Sequence, residues 1–202
     1  MSDVRQKRFI CPKCGKKSLM QAHAAVDAVR EKELHDSLLS GVLFRHTCPE
    51  CGEVCEVSYS MLYKDRARNI MIYLFADDGE DGMPAVPESG RYKCRVVYSP
   101  EELIEKICIF EDGFSDEAME IYKAVHAVSV RRNLQGEKLR ACTYIRHNGK
   151  PALRADTAGG MGYVALVDKD AYAELSRMVP KDSVPEGFAH IDMNWGAKMI
   201  FE

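Results

Sequence analysis

The sequence reads CPKCG at residues 11–15 and CPECG at residues 48–52. In each copy two residues separate the cysteines, so both sulfur atoms come to one side of a tight turn. The proline presets the backbone φ of that turn. The glycine after the second cysteine can adopt a positive φ, with which the chain turns away. The repeated motif therefore predicts two cysteine knuckles whose backbone amides can point at the sulfurs.

The two knuckles together supply four thiolates, a ligand set typical of zinc. Zinc binds four cysteine sulfurs tetrahedrally at about 2.3 Å and then has no open position, so such an ion stabilises the fold and does not catalyse. Iron is the alternative in the same site, because paired knuckles of this kind also hold a single iron ion. A redox-active cysteine pair is a minor alternative. The predicted metal ligands are Cys11, Cys14, Cys48 and Cys51.

Two more side chains lie close to the knuckles in sequence. Cys55 could be a spare ligand, but a small buried thiol is the simpler interpretation. His46 could replace a ligand or orient one, whereas an exposed strand histidine is the simpler interpretation. The remaining cysteines lie in apolar segments and are interpreted as core thiols: Cys94, Cys108 and Cys142.

The overall composition is that of a globular protein. The chain has 202 residues, 46% of them hydrophobic and 29% charged, with a net charge of −3. This is enough for one medium domain or two small ones. The charged N-terminal residues contain no apolar segment of a secretory signal. The longest apolar run, residues 70–76, is too short to span a membrane. We therefore expect a cytoplasmic protein without membrane contact, whose cysteines stay reduced.

Residues 77–82 (DDGEDG) combine acidic side chains with glycines, and two prolines follow. This composition is typical of a loop or linker. We therefore predict a zinc-ribbon-like domain at residues 1–76, a linker at residues 77–90 and a second domain at residues 91–202.

The predicted fold class is α+β. In the first domain, apolar runs predict strands at residues 42–47, 54–60 and 70–75. Apolar residues from Val26 to Leu38 recur at helical spacing, and Gly41 follows where a left-handed cap would lie. The first domain is thus expected to be a zinc-ribbon-like β unit with an inserted helix.

The second domain is expected to be an α+β domain with a small antiparallel sheet. Ser99-Pro100 has the composition of a helix start, and so has the region of Ser115. Asn148-Gly149 is typical of a tight hairpin turn. The other predicted elements are strands at residues 92–98 and 162–167 and a helix at residues 169–178.

The two Cys-Pro-x-Cys motifs are similar to those of the CpXC family of bacterial and archaeal proteins. The similarity includes the segment from Glu33 to Gly41 and the stretch Leu62-Tyr63-Lys64-Asp65, and it covers about residues 8–75. The stretch from Leu103 to Gly113 resembles a region that follows this domain in some relatives. The resemblance implies a metal-binding domain, with a bacterial source as the expectation. The family has no established biochemical role, so the resemblance leaves the function open.

No catalytic constellation stands out in the sequence. The Gly-rich residues 159–162 lack the Lys-Ser/Thr of a phosphate loop and lead into a strand. Our leading hypothesis is therefore a non-enzymatic interaction or scaffold module that presents the ribbon's basic edge, or the second sheet, to a protein partner. The alternative is an enzyme or small-ligand sensor with a site in the C-terminal domain, lined by Asp156, Tyr163 or His190.

A third hypothesis is nucleic-acid binding through the basic first knuckle. Basic residues there could contact phosphates, although the net charge of −3 is not that of a general nucleic-acid binder. The basic residues concerned are Arg5, Lys7, Arg8, Lys13, Lys16 and Lys17.

Overall fold

The computed structural model describes residues 4–76, 82–87, 90–134, 136–180 and 182–201. The chain forms two compact units. The first comprises residues 1–104 with 187–189, and the second comprises residues 105–186 with 190–202. Helices and several small sheets occur together, so the predicted α+β class is confirmed.

The first unit contains eight strands and one α-helix among its described residues. In chain order they are β1 (Val4–Ile10), β2 (Lys17–His23), β3 (Ala25–Asp27), α1 (Lys32–Leu39), β4 (Arg45–Thr47), β5 (Val54–Glu56), β6 (Met61–Asp65), β7 (Ile70–Leu74) and β8 (Lys93–Val97). The next helix, α2 (Pro100–Glu111), begins in the first unit and ends in the second.

Each cysteine knuckle is the turn of a two-stranded antiparallel hairpin. Strand β1 pairs with β2 across the first knuckle, and β4 pairs with β5 across the second. The β1–β2 hairpin was not among the predicted strands. Its sequence, VRQKRFI followed by KSLMQAH, buries only Met20 and Ala22, so its apolar pattern is weak.

A four-stranded sheet in the order β3-β6-β7-β8 forms the main core of the first unit. All five residues of β7 are buried, because this strand lies between β6 and β8. Strand β8 pairs with β7 in parallel although it follows the predicted linker. The compact units therefore divide at Ile104 and Glu105, away from residues 77–90. Residues 77–81 and 88–89 of the predicted linker lie outside the described residues.

Three predicted elements of the first unit differ in extent. Helix α1 begins only at Lys32, and Val26 lies in β3, where it pairs with Tyr63. Residues 42–44 form a short 3-10 turn ahead of β4, and the strand predicted at 54–60 ends at Glu56. Gly41 has a φ of 72°, the left-handed conformation predicted after the helix.

The second unit packs helices on one small antiparallel sheet. Its elements after α2 are α3 (Asp116–Asn133), β9 (Leu139–His147), β10 (Lys150–Thr157), β11 (Gly162–Leu166), α4 (Lys169–Met178) and α5 (Met193–Phe201). The three strands form a meander in the order β11-β10-β9, as expected for a small antiparallel sheet. Asn148 and Gly149 both have positive φ, 50° and 72°, at the predicted turn between β9 and β10.

Helix caps explain where the predicted helices begin. The Ser115 hydroxyl accepts a hydrogen bond from the backbone N–H of Ala118, and Ser99 accepts one from that of Glu102. Helix α5 was not predicted. In the described parts of the chain, no helix has the length and apolarity to cross a membrane.

Candidate metal centre

The two knuckles have the same backbone geometry. The N–H of Gly15 donates to the carbonyl of Cys11 at 2.9 Å, and the N–H of Gly52 donates to that of Cys48 at 2.9 Å. The two glycines have φ values of 68° and 71°, which explains why both copies of the motif need glycine at that position. The repeated sequence therefore folds into repeated turns.

The four predicted cysteines come together at the tips of the two hairpins. All four sulfurs lie within 4.8 Å of one another. The Sγ atoms of Cys11 and Cys51 are 3.7 Å apart, as are those of Cys14 and Cys48. A tetrahedral ion with metal–sulfur bonds of about 2.3 Å needs sulfur–sulfur separations of about 3.8 Å. A disulfide needs about 2.05 Å. The cluster thus has the dimensions of a four-thiolate metal site.

The electrostatics of the cluster favour a bound cation. A hydrogen bond from the Cys14 amide lowers the pKa of Cys11 to about 6, although burial opposes this. The Glu53 amide favours the thiolate of Cys51, yet burial and the three neighbouring sulfurs raise its pKa to about 12. Four thiolates at this distance repel one another, and a divalent cation removes that repulsion. The donor set and its spacing therefore fit a metal ion.

A fifth thiol and a histidine lie beside the cluster. Cys55 is buried and packs with Cys11 and Cys48, and Phe9 covers them. Burial first, and then the neighbouring Cys11, raise the pKa of the Cys55 thiol. His46 is half-buried, not exposed as expected: its Nε2 lies 3.0 Å from the Ser18 hydroxyl and its ring packs edge-on against Phe9. The inner face of β4–β5 is thus closed around the site.

The other three cysteines are core or half-buried thiols, as interpreted from the sequence. Cys94 and Cys142 are buried and Cys108 is half-buried. All eight cysteines of the chain are free thiols.

The basic residues of the first hairpin do not form one continuous edge. Arg5 and Lys7 pair with Ala22 and Met20, on the face of the hairpin that carries its buried residues. Arg8 and Lys17 lie on the opposite, solvent-facing side, because side chains alternate along a strand. At the tip, Lys13 forms an ion pair with Glu53 of the second knuckle, 2.6 Å apart. Lys16 is exposed in the turn.

The residues suggested for a C-terminal pocket do not converge. Asp156 pairs with Gly162 across β10 and β11, whereas Tyr163 pairs with Ala155. Cross-strand partners share a face and successive residues alternate, so the two side chains lie on opposite faces of the sheet. Asp156 also accepts a hydrogen bond from Arg154 at 2.9 Å. His190 is half-buried before α5.

A cleft of about 360 Å³ lies instead within the first unit, between the base of β4–β5 and the start of α2. Its lining mixes apolar side chains with one basic and two acidic ones. The lining residues are Gly41, Phe44, Arg45, Glu56, Val57, Ser58, Pro100, Glu101 and Ile104.

A buried ion network in the second unit was missed by sequence reasoning. Lys106 contacts Glu120 at 2.6 Å and Asp116 at 3.5 Å, and Lys123 contacts Glu105 at 2.7 Å and Glu120 at 2.8 Å. The residues lie on α2 and α3. Their spacing in the sequence is the same as that of charged residues on the solvent-exposed side of a helix, so it does not predict their burial. With each charge paired, the network is a structural element of the core.

The fold and the site define an α+β protein with two cysteine knuckles that could hold a metal ion. A family model described as "CpXC protein" matches residues 9–123, more than half of the 202 residues, so the chain belongs to the CpXC family. The match extends beyond the 8–75 inferred from the motifs and includes α2 and the first half of α3. No curated protein and no solved structure matches the chain.

Proposed function

We propose that the four knuckle cysteines bind one structural zinc ion. The observation that carries this proposal is the spacing of the sulfurs, 3.7 Å in two pairs from opposite hairpins. Iron is the alternative ion in the same site. Zinc is favoured because it lies above ferrous iron in the general order of affinities for such ligands.

The ion would hold together two hairpins that have little core of their own. Strands β4 and β5 are three residues long, and the buried cluster at the site consists of three cysteines covered by Phe9. Ordering a residue costs about 1–2 kcal/mol of backbone entropy. Structural zinc contributes on the order of 10–16 kcal/mol of apparent binding free energy. Such a contribution offsets the ordering of the hairpins, which supports a stabilising role.

Metal analysis of the purified protein tests this proposal. We expect one zinc ion per chain and no visible absorption, whereas a four-thiolate iron site would be coloured. Cys14→Ser should lower the zinc content, whereas Cys94→Ser, at a buried thiol in β8, is the matched control and should not. Wild-type protein without stoichiometric metal, or equal loss in both variants, would contradict the proposal.

We further propose that the zinc-stabilised ribbon is an interaction module for a protein partner in the cytoplasm. The solvent-facing side of β1–β2 supports it. Ile10 and Leu19 are each 60% exposed there and are diagonal neighbours across the hairpin. Arg8 and Lys17 lie directly opposite them on the same face, and neither strand contains an acidic residue. The face therefore suits a partner segment with acidic and aliphatic side chains.

The chemistry of this face favours protein over nucleic acid. Single-stranded nucleic acids stack their bases on exposed aromatic rings, and the outward-facing residues of β1 and β2 include no Phe, Tyr or Trp, while His23 on that face is half-buried. Aliphatic side chains gain free energy from apolar burial, which a phosphate backbone does not offer. None of the eight cysteines, all of which the structure describes, forms a disulfide, and this supports the proposed cytoplasmic location, where thiols stay reduced.

A comparison of variants in affinity purification tests the interaction. Ile10→Ser/Leu19→Ser should lose a protein partner that the wild type retains. The control is Val29→Ser, because Val29 is 58% exposed but lies in the turn before α1. Equal recovery with both variants would contradict the proposed face. A salt-dependent mobility shift with RNA or DNA, reduced in Arg8→Gln/Lys17→Gln, would instead support the nucleic-acid alternative.

A further inference from the structure

A tetrahedral ion needs four sulfurs, and a fifth sulfur lies next to the metal centre on its buried side. Cys55 is 8% exposed and shares a buried cluster with Cys11 and Cys48. It packs against these two ligands but lies outside the group of four sulfurs that are all within 4.8 Å of one another. Cys14 and Cys51, in contrast, form the solvent-exposed side of the site. The fifth thiol is therefore adjacent to one particular pair of ligands.

The strand register explains why Cys55 faces the site. It lies on β5 opposite His46, and these two residues are less exposed than their neighbours in both strands. Their side chains therefore share the inner face of the second hairpin. The three remaining cysteines of the chain lie in β8, α2 and β9 and belong to no cluster with the knuckles among the described residues. Cys55 therefore differs from the other three cysteines outside the knuckles in its position beside the metal centre.

We propose that Cys55 is a reserve metal ligand that binds the ion when Cys11 cannot. This inference rests on the proposed metal site. With Cys55 in place of Cys11, the ligands would be Cys14 from the first hairpin and Cys48, Cys51 and Cys55 from the second. The ion would still join the two hairpins with four thiolates. The site would keep its zinc when the sulfur of Cys11 is oxidised or otherwise modified.

Cobalt substitution provides a direct readout of ligand number. Co²⁺ replaces zinc in tetrahedral thiolate sites, and its sulfur-to-metal charge-transfer absorption grows with each bound thiolate. We expect Cys11→Ser to keep the wild-type intensity, because Cys55 restores the fourth thiolate. Cys14→Ser should lose about a quarter of it, since three of four thiolates remain. Cys55→Ser alone should match the wild type, and Cys11→Ser/Cys55→Ser should fall to the Cys14→Ser level.

Several results would overturn the reserve ligand. One is a Cys11→Ser spectrum that equals that of Cys14→Ser. Another is a Cys11→Ser protein that gains no ordered structure with Co²⁺, by circular dichroism, when Cys14→Ser does. A wild-type protein that shows no four-thiolate spectrum at all would instead contradict the metal site itself, so the two failures are distinguishable.

Discussion

Lys123→Met would remove a central cation from the buried ion network of the second unit. The Nζ atom of Lys123 lies 2.7 Å from a carboxylate oxygen of Glu105 and 2.8 Å from one of Glu120. Burial opposes the charge on Lys123, but the two carboxylates raise its pKa above the ordinary value. Methionine has a similar length and no charge. The substitution therefore leaves two buried carboxylates with less compensation.

The expected cost follows from which contacts remain. Glu120 keeps its contact with Lys106, and Glu105 keeps the backbone N–H of Tyr144 at 2.6 Å. Removing one partner of a buried ion pair costs about 3–5 kcal/mol. In Lys123→Met/Glu105→Gln, a neutral amide oxygen can still accept that N–H without a buried charge. We expect the double variant to recover about half of the lost free energy of unfolding, because the uncompensated charge is the main cost.

Urea unfolding followed by tryptophan fluorescence measures this effect. Trp195 is the only tryptophan of the chain and lies in α5, which packs on α3. With a slope of about 1–3 kcal/mol/M in urea, the midpoint should fall by about 2 M. The control is Asp156→Asn. Asp156 forms an ion pair with Arg154, and the two side chains are 32% and 51% exposed, respectively, so the pair should contribute less than about 1 kcal/mol. Equal midpoint shifts in Lys123→Met and Asp156→Asn would refute the reasoning.

Three further predictions concern the knuckles and the second unit. Gly15→Ala and Gly52→Ala should each weaken zinc binding about tenfold in chelator competition, because alanine at positive φ costs about 1–2 kcal/mol; very unequal effects would contradict the matched turns. Gly196→Ala should lower the free energy of unfolding, measured from Trp195 fluorescence in urea, by about 1–3 kcal/mol, because its Cβ would overlap the Glu120 carbonyl of α3; an unchanged midpoint would contradict this close packing. Burial lowers the pKa of His126, so this histidine binds a proton more readily in the unfolded chain than in the folded one, and the free energy of unfolding falls as pH drops below about 6.5. His126→Gln should reduce that fall between pH 7.5 and 5.5. An identical fall in the wild type and the variant would contradict this prediction.

The parts of the structure that the sequence predicts are those that depend on local chemistry. The knuckles follow from a five-residue motif whose proline and glycine restrict the backbone. The starts of α2 and α3 follow from Ser99 and Ser115, whose hydroxyls cap the helices. The turn at Asn148-Gly149 follows from the tolerance of both residues for positive φ. Each of these signals lies within a few residues of the structure it determines.

The missed features depend on residues far apart in the chain. Strand β1 is mostly polar and has no strand pattern of its own. It forms because its backbone pairs with β2 along its whole length. Strand β8 lies where a strand was predicted, but its parallel pairing with β7 joins segments on either side of residues 77–90, and no local pattern specifies that pairing. Helix α5 contains Gly196, which fits against the α3 backbone. Lys106 and Lys123 can be buried because each forms an ion pair with a carboxylate on the other helix of the α2–α3 pair. The pattern of a single sequence does not indicate which residues of two helices form such pairs.

The same limit applies to the metal centre. Its four thiols follow from the motif, whereas the packing of Cys55 against Cys11 depends on how the two hairpins meet. Cys55 differs from Cys94 in its neighbours and not in its local sequence. Sequence reasoning could therefore name Cys55 as a candidate without placing it on the buried side of the site.

Hydrogen–deuterium exchange before and after zinc removal tests the structural metal site most directly. We predict one zinc ion per chain, whose removal accelerates amide exchange at residues 9–20 and 44–56, because the knuckle hydrogen bonds lose the ion that holds the hairpins together. Exchange at β6 and β7 should change less, because these strands have a buried core of their own. Unchanged exchange in both knuckles after complete zinc removal, or protein purified without bound metal, would contradict a fold-stabilising four-cysteine site.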